Sequence, residues 1–397
     1  MEKSRVMIYV QHLLGVGHQR RAAAIARALV DAGLDVAYVS GGSPVSNLDV
    51  GGAAFEQLPP CKAADSSFRL VDAETGDAID EAWKGRRRAS LLDAFARFRP
   101  AVIVIEMYPF GRRAFRFELE PLLEAAASCA PRPRVVSSVR DVLVEKRDRR
   151  KLEETVATIQ RWFDLVLVHG DADFIPFDAT FPLAPKIASR MYYTGYVCPE
   201  APAERAGDFH RGEILVSAGG GRVGERLLAM ALDARALSRH RDVTWRLLVG
   251  RGMTEDRFNA LAARAGDGVV VERARADFVA LLAECGASVS LAGYNTVTDV
   301  LTTGAPAVLV PFADRDETEQ ATRAARLAER GLATVVDETT LEPGELARAV
   351  DAAVALGRRG IPDIRLDGAR ETARIVSRLA RGRRMKDNPL GWSSELR

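Results

Sequence analysis

The sequence has few cysteines. Cys61, Cys129, Cys198 and Cys285 are scattered over 397 residues without a CxxC pair, so there is no disulfide framework and no cysteine metal site to read, and the usage suits a reducing compartment. It lacks any run of 18 apolar residues, which excludes a membrane-spanning helix. The short apolar stretch in MEKSRVMIYVQH reads as a first strand and not as a signal-peptide core. The expected location is therefore the cytoplasm. Neither sign of charge dominates: 56 Lys+Arg against 54 Asp+Glu leave a net +2, which argues against a general nucleic-acid binder. What remains, 47% hydrophobic and 28% charged residues, is the composition of a globular protein long enough for two domains.

Short β-branched runs alternate with Ala/Leu/Arg-rich amphipathic stretches, the pattern of parallel α/β units. The first half predicts strands at VMIYV (6–10), DVAYV (35–39), AVIVIE (101–106), RVVSSV (134–139) and DLVLVH (164–169). Their consecutive apolar positions suit strands covered on both faces. A helix follows GVG (15–17) and stops at Gly33. CPEAPAERAGDFHR (198–211) has no apolar period and reads as a linker. Beyond it, strands are expected at 213–218, 244–249, 268–272, 287–292, 306–311 and 332–337, with helices at 317–331 and 344–356. The sequence thus predicts two Rossmann-like α/β domains, 1–200 and 201–382, facing across a cleft where such folds bind ligands, and a polar tail at 383–397.

VSAGGGRVGERLL (216–228) runs from a strand through three glycines into a helix. Gly219, Gly220 and Gly221 let backbone approach a phosphate closely, and the helix start offers free N–H groups. One helix terminus contributes only about 0.3–1 kcal/mol, so several N–H groups and Arg222 must act together on a diphosphate. A bare β–α turn is the alternative. No GK[ST] follows and the GxGxxG spacing is absent. In SLAGYNTVTDVLTTGAPAVLVPFADRDETEQATRAARLAERGL (290–332), Asn295 or Thr296 can cap a helix. Asp299 can accept both hydroxyls of a ribose, and Glu319 and Gln320 suit hexose hydroxyls. Near the N-terminus, His18 opens a helix and His12 lies just before it. A base of near-neutral pKa there could take a proton, as could Glu106 or Asp141 at neighbouring strand ends. Each has a plain structural alternative: a histidine capping or packing under the loop, a carboxylate paired with Arg112, Arg113 or Arg140. Two Asp-x-Asp triplets, Asp171–Asp173 and Asp314–Asp316, raise metal binding, but the abundance of acidic residues makes such triplets expected by chance.

The 290–332 segment resembles the donor-sugar signature of MurG-type glycosyltransferases and, more closely, of a related family of predicted bacterial glycosyltransferases. GVGHQRR (15–21), EMYPFGRR (106–113), SVRDVLVEK (138–146), VHGDADFIPFDATFP (168–182) and YTGYV (193–197) extend the resemblance in order over most of the chain. It implies the GT-B fold and inverting, metal-independent transfer of a sugar from a nucleotide diphosphate, with a UDP-sugar as substrate and no further cofactor. It places Asp299 on the ribose, Glu319 and Gln320 on the sugar and Gly219–Gly221 on the diphosphate. The loop 272–278, with Ala274, falls on the uracil. Arg251, Gly293, Tyr294, Asn295 and Thr296 join the donor side. Gly15, Gly17, His18 and Arg140 fall on the acceptor side. LLGVGHQ (13–19) departs from the GGxGGH pattern of MurG, which weakens transfer of its lipid-linked acceptor. The arginine clusters (Arg86–Arg88, Arg112, Arg113, Arg116, Lys146, Arg147, Arg149, Arg150, and Arg381, Arg383, Arg384, Lys386) read as solvated faces, or else as a seat for an anionic acceptor or for lipid headgroups at the inner face of a membrane. A UDP-sugar 2-epimerase and a non-catalytic nucleotide-sugar-binding protein are the alternative functions. The acceptor is not legible.

Overall fold

The computed structural model describes residues 3–13, 17–45, 48–64, 69–144, 148–199, 209–218, 224–312, 318–360 and 363–382. The chain divides into two compact units, 1–197 with 365–397, and 198–364. In the first unit the order is β1 (Arg5–Val10), α1 (Gly17–Asp31), β2 (Asp35–Ser40), β3 (Ala54–Gln57), β4 (Cys61–Ala63), β5 (Leu70–Asp72), α2 (Glu81–Phe98), β6 (Val102–Glu106), α3 (Arg116–Ala127), β7 (Arg134–Arg140), α4 (Arg149–Trp162), β8 (Leu165–His169) and β9 (Met191–Tyr193). The second holds β10 (Ile214–Ser217), α5 (Glu225–Arg235), β11 (Trp245–Val249), α6 (Glu255–Ala263), β12 (Val269–Arg273), α7 (Phe278–Glu284), β13 (Ala287–Ser290), α8 (Tyr294–Thr303), β14 (Ala307–Leu309), α9 (Glu319–Glu329), β15 (Thr334–Val335) and α10 (Pro343–Leu356). The last helix, α11 (Gly368–Ala380), returns to the first unit.

The first sheet has seven parallel strands in the order β3-β2-β1-β6-β7-β8-β9, and β4 and β5 form a separate antiparallel pair. The second sheet has six parallel strands, β12-β11-β10-β13-β14-β15. Both orders reverse once, between β1 and β6 and between β10 and β13. At such a reversal the connections leave in opposite directions and open a crevice beyond the carboxyl ends of the strands.

Alternation explains why the inner strands carry apolar residues at consecutive positions. Val6, Ile8 and Val10 enter one core with Val102 and Val104, while Met7 and Tyr9 enter the other with Ile103 and Ile105. In the first core, Ala22, Ala26 and Leu29 of α1 meet Ala373, Ile375 and Val376 of α11. That apolar stripe overturns the sequence assignment of 368–382 to the second domain. Chain order alone gave no sign that the helix crosses back, because its stripe fits any sheet face. In the second unit, Ile214, Val216, Trp245, Leu247 and Val249 pack with Leu227, Leu228, Leu346 and Val350.

Candidate functional site

At the β1/β6 reversal, β1 runs out into Gln11 and His12, and α1 begins at Gly17. His18 Nδ1 lies 2.9 Å from Glu106 Oε1 at the end of β6. The carboxylate can only accept, so Nδ1 carries the proton and Nε2 is the basic nitrogen. Arg21, three residues on and therefore on the same helix face, donates to the same Glu106 oxygen. The other oxygen, Glu106 Oε2, is buried without a partner among the described residues. Burial would raise the Glu106 carboxyl, but His18 and Arg21 outweigh it and hold it down at about 2. His18 is pulled the other way, to about 3, by burial and by Arg112, against the opposing field of Glu106. The ground state is thus a carboxylate beside a neutral imidazole. When a proton reaches Nε2, the adjacent carboxylate stabilises the imidazolium that forms.

His12 belongs to a second network. Tyr38 donates to Gln19 Oε1, which orients the amide so that Gln19 Nε2 meets His12 Nδ1 and Ser40 Oγ, each at 3.0 Å. His12 Nδ1 therefore accepts, and its proton sits on Nε2. Burial, with Arg112 nearby, pulls its pKa to about 4. Asp141, by contrast, is fully buried and accepts from Tyr196 Oη at 2.9 Å. It acts as a strut between β7 and the segment after β9, which removes the solvent-reaching oxygen that a base requires. Arg140 ends β7 half-buried, and Gly17 opens α1. Gly15 lies outside the described residues.

Two residues here escaped the sequence reading. Gln19 and Arg21 sit inside a run of Ala and Arg and look like ordinary helix surface. Only their spacing from His18 could have singled out Arg21. Arg87, read as part of a solvated cluster, is instead fully buried. Its guanidinium bonds to Glu118 at 2.7 Å, to the Gly41 and Pro59 carbonyls and to Gln11 Oε1, with Trp83 and Phe115 rings beside it. The other described members of that cluster are exposed or half-buried, and Lys146 and Arg147 lie outside the described residues. Asp171 of the first Asp-x-Asp triplet gives its oxygens to the amides of Asp173 and Arg365 at 3.0 and 2.9 Å. Asp314–Asp316 lies outside the described residues.

In the second unit the reversal lies between β10 and β13. Gly219, Gly220, Gly221 and Arg222 fall outside the described residues. At the near edge of that loop, Gly224 has φ 106, and a Cβ on it would lie 2.4 Å from Ala218 Cβ. Left-handed backbone and close strand–helix approach both require glycine. Gly224→Ala is expected to destabilise this unit by about 1–3 kcal/mol, measured by denaturant unfolding. Across the reversal, β13 leads into α8, whose cap is Gly293, with no side-chain cap bond. Asn295 and Thr296 therefore do not cap it, because the helix already starts at Tyr294. The start of this helix presents the partial positive end of its dipole. Asp299 lies buried within α8. Gln320 at the start of α9 accepts from the Ala292 and Phe312 amides, each at 3.1 Å. It thereby fixes the ends of β13 and β14. Glu319 is buried and pairs with Arg323 at 3.5 Å, and that guanidinium lies over the Tyr294 ring. Arg251 is exposed after β11. Ala274 N bonds Val249 O at 2.9 Å, extending the sheet, so this amide is not open to a base. Beside it, Arg275 forms a two-pronged pair with Asp277, which fixes the 272–278 turn.

Two Rossmann-like units with these strand orders define the GT-B class of fold. Solved structures agree: MurG of Acinetobacter baumannii (TM-score 0.55, 18% identity, 96% of this chain and 99% of that one) and a Polygonum tinctorium UDP-glucosyltransferase capable of glucosylating indoxyl (TM-score 0.61, 15% identity, 96% and 99%) share it. Residues 215–362 match the glycosyltransferase family 28 C-terminal domain. Over 161 residues the chain is 31% identical to the Brucella canis UDP-N-acetylglucosamine--N-acetylmuramyl-(pentapeptide) pyrophosphoryl-undecaprenol N-acetylglucosamine transferase, covering 40% of this chain and 42% of that protein. The match thus spans less than half the length of this relative. The chain has the GT-B fold, and within its second unit residues 215–362 match the glycosyltransferase family 28 C-terminal domain. Among the described residues, no helix is long and apolar enough to cross a membrane.

Proposed function

We propose that the protein is an inverting glycosyltransferase that moves a sugar from a nucleotide diphosphate, a UDP-sugar by its likeness to UDP-sugar enzymes, to an acceptor hydroxyl, with no metal or cofactor taking part. The observation that carries the reading is the His18–Glu106 pair at one switch point, in a chain whose other switch point carries the family 28 donor domain. His18 Nε2 removes the acceptor proton as its oxygen attacks the anomeric carbon. The bond from that carbon to the diphosphate breaks on the opposite face, and the nucleoside diphosphate leaves with the electron pair. The positive end of α8 and the glycine loop before α5 stabilise its growing charge, the preorganised electrostatic help that dominates such steps. Asp299 holds the ribose, and Gln320 reads the sugar through its amide nitrogen. Glu319, occupied by Arg323, contributes by shaping the same helix start. The relative from Brucella is named for a lipid-linked acceptor. A lipid-linked acceptor met at a membrane surface is the corresponding proposal here.

Asp299→Ala and Gln320→Ala are each expected to weaken UDP-sugar binding by about 10- to 100-fold, the loss of a charged or doubly used polar group. Isothermal calorimetry checks this. Unchanged affinity in both variants would remove the donor assignment.

A further inference from the structure

Strand β11 lies inside the second sheet, yet it carries a charge. Trp245, Leu247 and Val249 enter one core. Arg246 points to the opposite face, where Leu215 is its register partner on β10 and the Phe209 ring lies 5.7 Å from its guanidinium. Its side chain is 1% exposed. A buried guanidinium costs more than an apolar side chain of similar volume, so its charge has to be matched on the spot. Its Nε donates to Glu213 at 2.8 Å, and one terminal amine donates to Glu272 Oε1 at 3.0 Å. Arg275 donates to the same Glu272 oxygen at 3.3 Å and holds Asp277 through two further bonds, of 2.9 and 2.8 Å. Charges therefore alternate along Glu213, Arg246, Glu272, Arg275 and Asp277, from inside the sheet out to the turn between β12 and α7. Holding strands together requires none of this, since apolar residues would do so at lower cost.

The turn at 274–277 follows a parallel strand and so stands at the carboxyl edge of the sheet, where such folds bind ligands. β12 is two strands from β10, about 10 Å from the switch point. The helix that the turn opens, α7, packs against α8, which carries Asp299. We propose that Arg246 is a positioning residue for the nucleobase of the donor: through Glu272 and Arg275 it sets the 274–277 turn against the base of a nucleoside diphosphate. The proposal rests on the reading of the second unit as a nucleotide-sugar site. Arg246 touches no ligand itself. The bond from Ala274 N to Val249 O fixes where the turn begins, and the charged chain fixes the residues that follow. A fully paired buried network of this kind holds one geometry and resists others.

The test titrates UDP and inorganic pyrophosphate into the full chain by calorimetry, pyrophosphate keeping the charge of the diphosphate and lacking the nucleoside. Glu272→Ala cuts the chain at its half-buried link and leaves the buried Arg246–Glu213 pair in place. It should lower UDP affinity about 10-fold, the loss of charge-assisted hydrogen bonds, with pyrophosphate affinity unchanged. Glu272→Gln should recover most of that loss, because one amide oxygen can accept from both guanidinium groups. Arg246→Lys, a single point charge that cannot span Glu213 and Glu272 as a fork does, should fall between the two. A merely structural role would move UDP and pyrophosphate together. UDP affinity at the wild-type value in both Glu272→Ala and Arg246→Lys overturns the proposal and leaves the donor reading intact. Equal losses for UDP and pyrophosphate overturn it as well. A wild-type protein that binds neither ligand overturns both the proposal and the donor reading.

Discussion

His18→Ala is expected to lower kcat by about 10²–10⁴-fold, the ordinary contribution of a positioned general base, while UDP-sugar affinity stays at the wild-type value. The split follows from geometry: among the described residues, the hydrogen-bond partners of His18 are Glu106 and Arg21 of the first unit. Glu106→Gln should also lower kcat, because an amide can accept the Nδ1 proton yet cannot stabilise an imidazolium. The pH dependence is a separate signature. A histidine with its ordinary pKa of 6.5 would lose its basic form as pH fell through that value. Burial holds His18 well below it, so its neutral form persists on the acid side. Wild-type kcat should therefore stay level as pH is lowered through 6.5. A break in kcat at 6.5, or full activity of His18→Ala, would remove this residue from the mechanism.

The second large effect concerns stability. Glu118→Ala should destabilise the first unit by about 3–5 kcal/mol, since it leaves the Arg87 guanidinium charged and enclosed without its carboxylate. Both side chains of the pair are fully inaccessible, and Tyr9 hydrogen-bonds the same carboxylate. The double variant Arg87→Met/Glu118→Leu should recover much of that loss, because apolar residues of similar volume require no compensating charge. Chemical denaturation measures both. A Glu118→Ala protein as stable as the wild type would show that water or another group satisfies Arg87.

The sheet cores were legible because a parallel strand covered on both faces is apolar at consecutive positions, and the runs at 6–10 and 101–105 meet that demand. β3 was not: AFEQ is an edge strand with two exposed residues, so it carries no burial pattern. The pair β4 and β5 was missed for the same reason, each being three residues long. His18 and Glu106 were legible as candidates, since each ends or begins an element beside a switch point. Their pairing was not, because it depends on the β1/β6 register and not on sequence distance. Asp141 had the same standing in sequence and proved to be a buried strut, which only the position of Tyr196 decides. Arg87 was misread because it shares its segment with two arginines less buried than itself. A helix period would separate them, but every third or fourth position of α2 is a plausible inner face until Glu118 is placed.

The central claim is that the second unit holds a nucleotide-diphosphate sugar. A thermal-shift screen of UDP-, GDP- and dTDP-sugars against the wild-type protein tests it most directly, because a ligand that binds only the folded state raises the midpoint further as its concentration rises above Kd. The expected result is a concentration-dependent rise with one class of donor, UDP-sugars first, that is lost in Asp299→Ala. No shift with any of the three classes, or an equal shift in Asp299→Ala, would contradict the account.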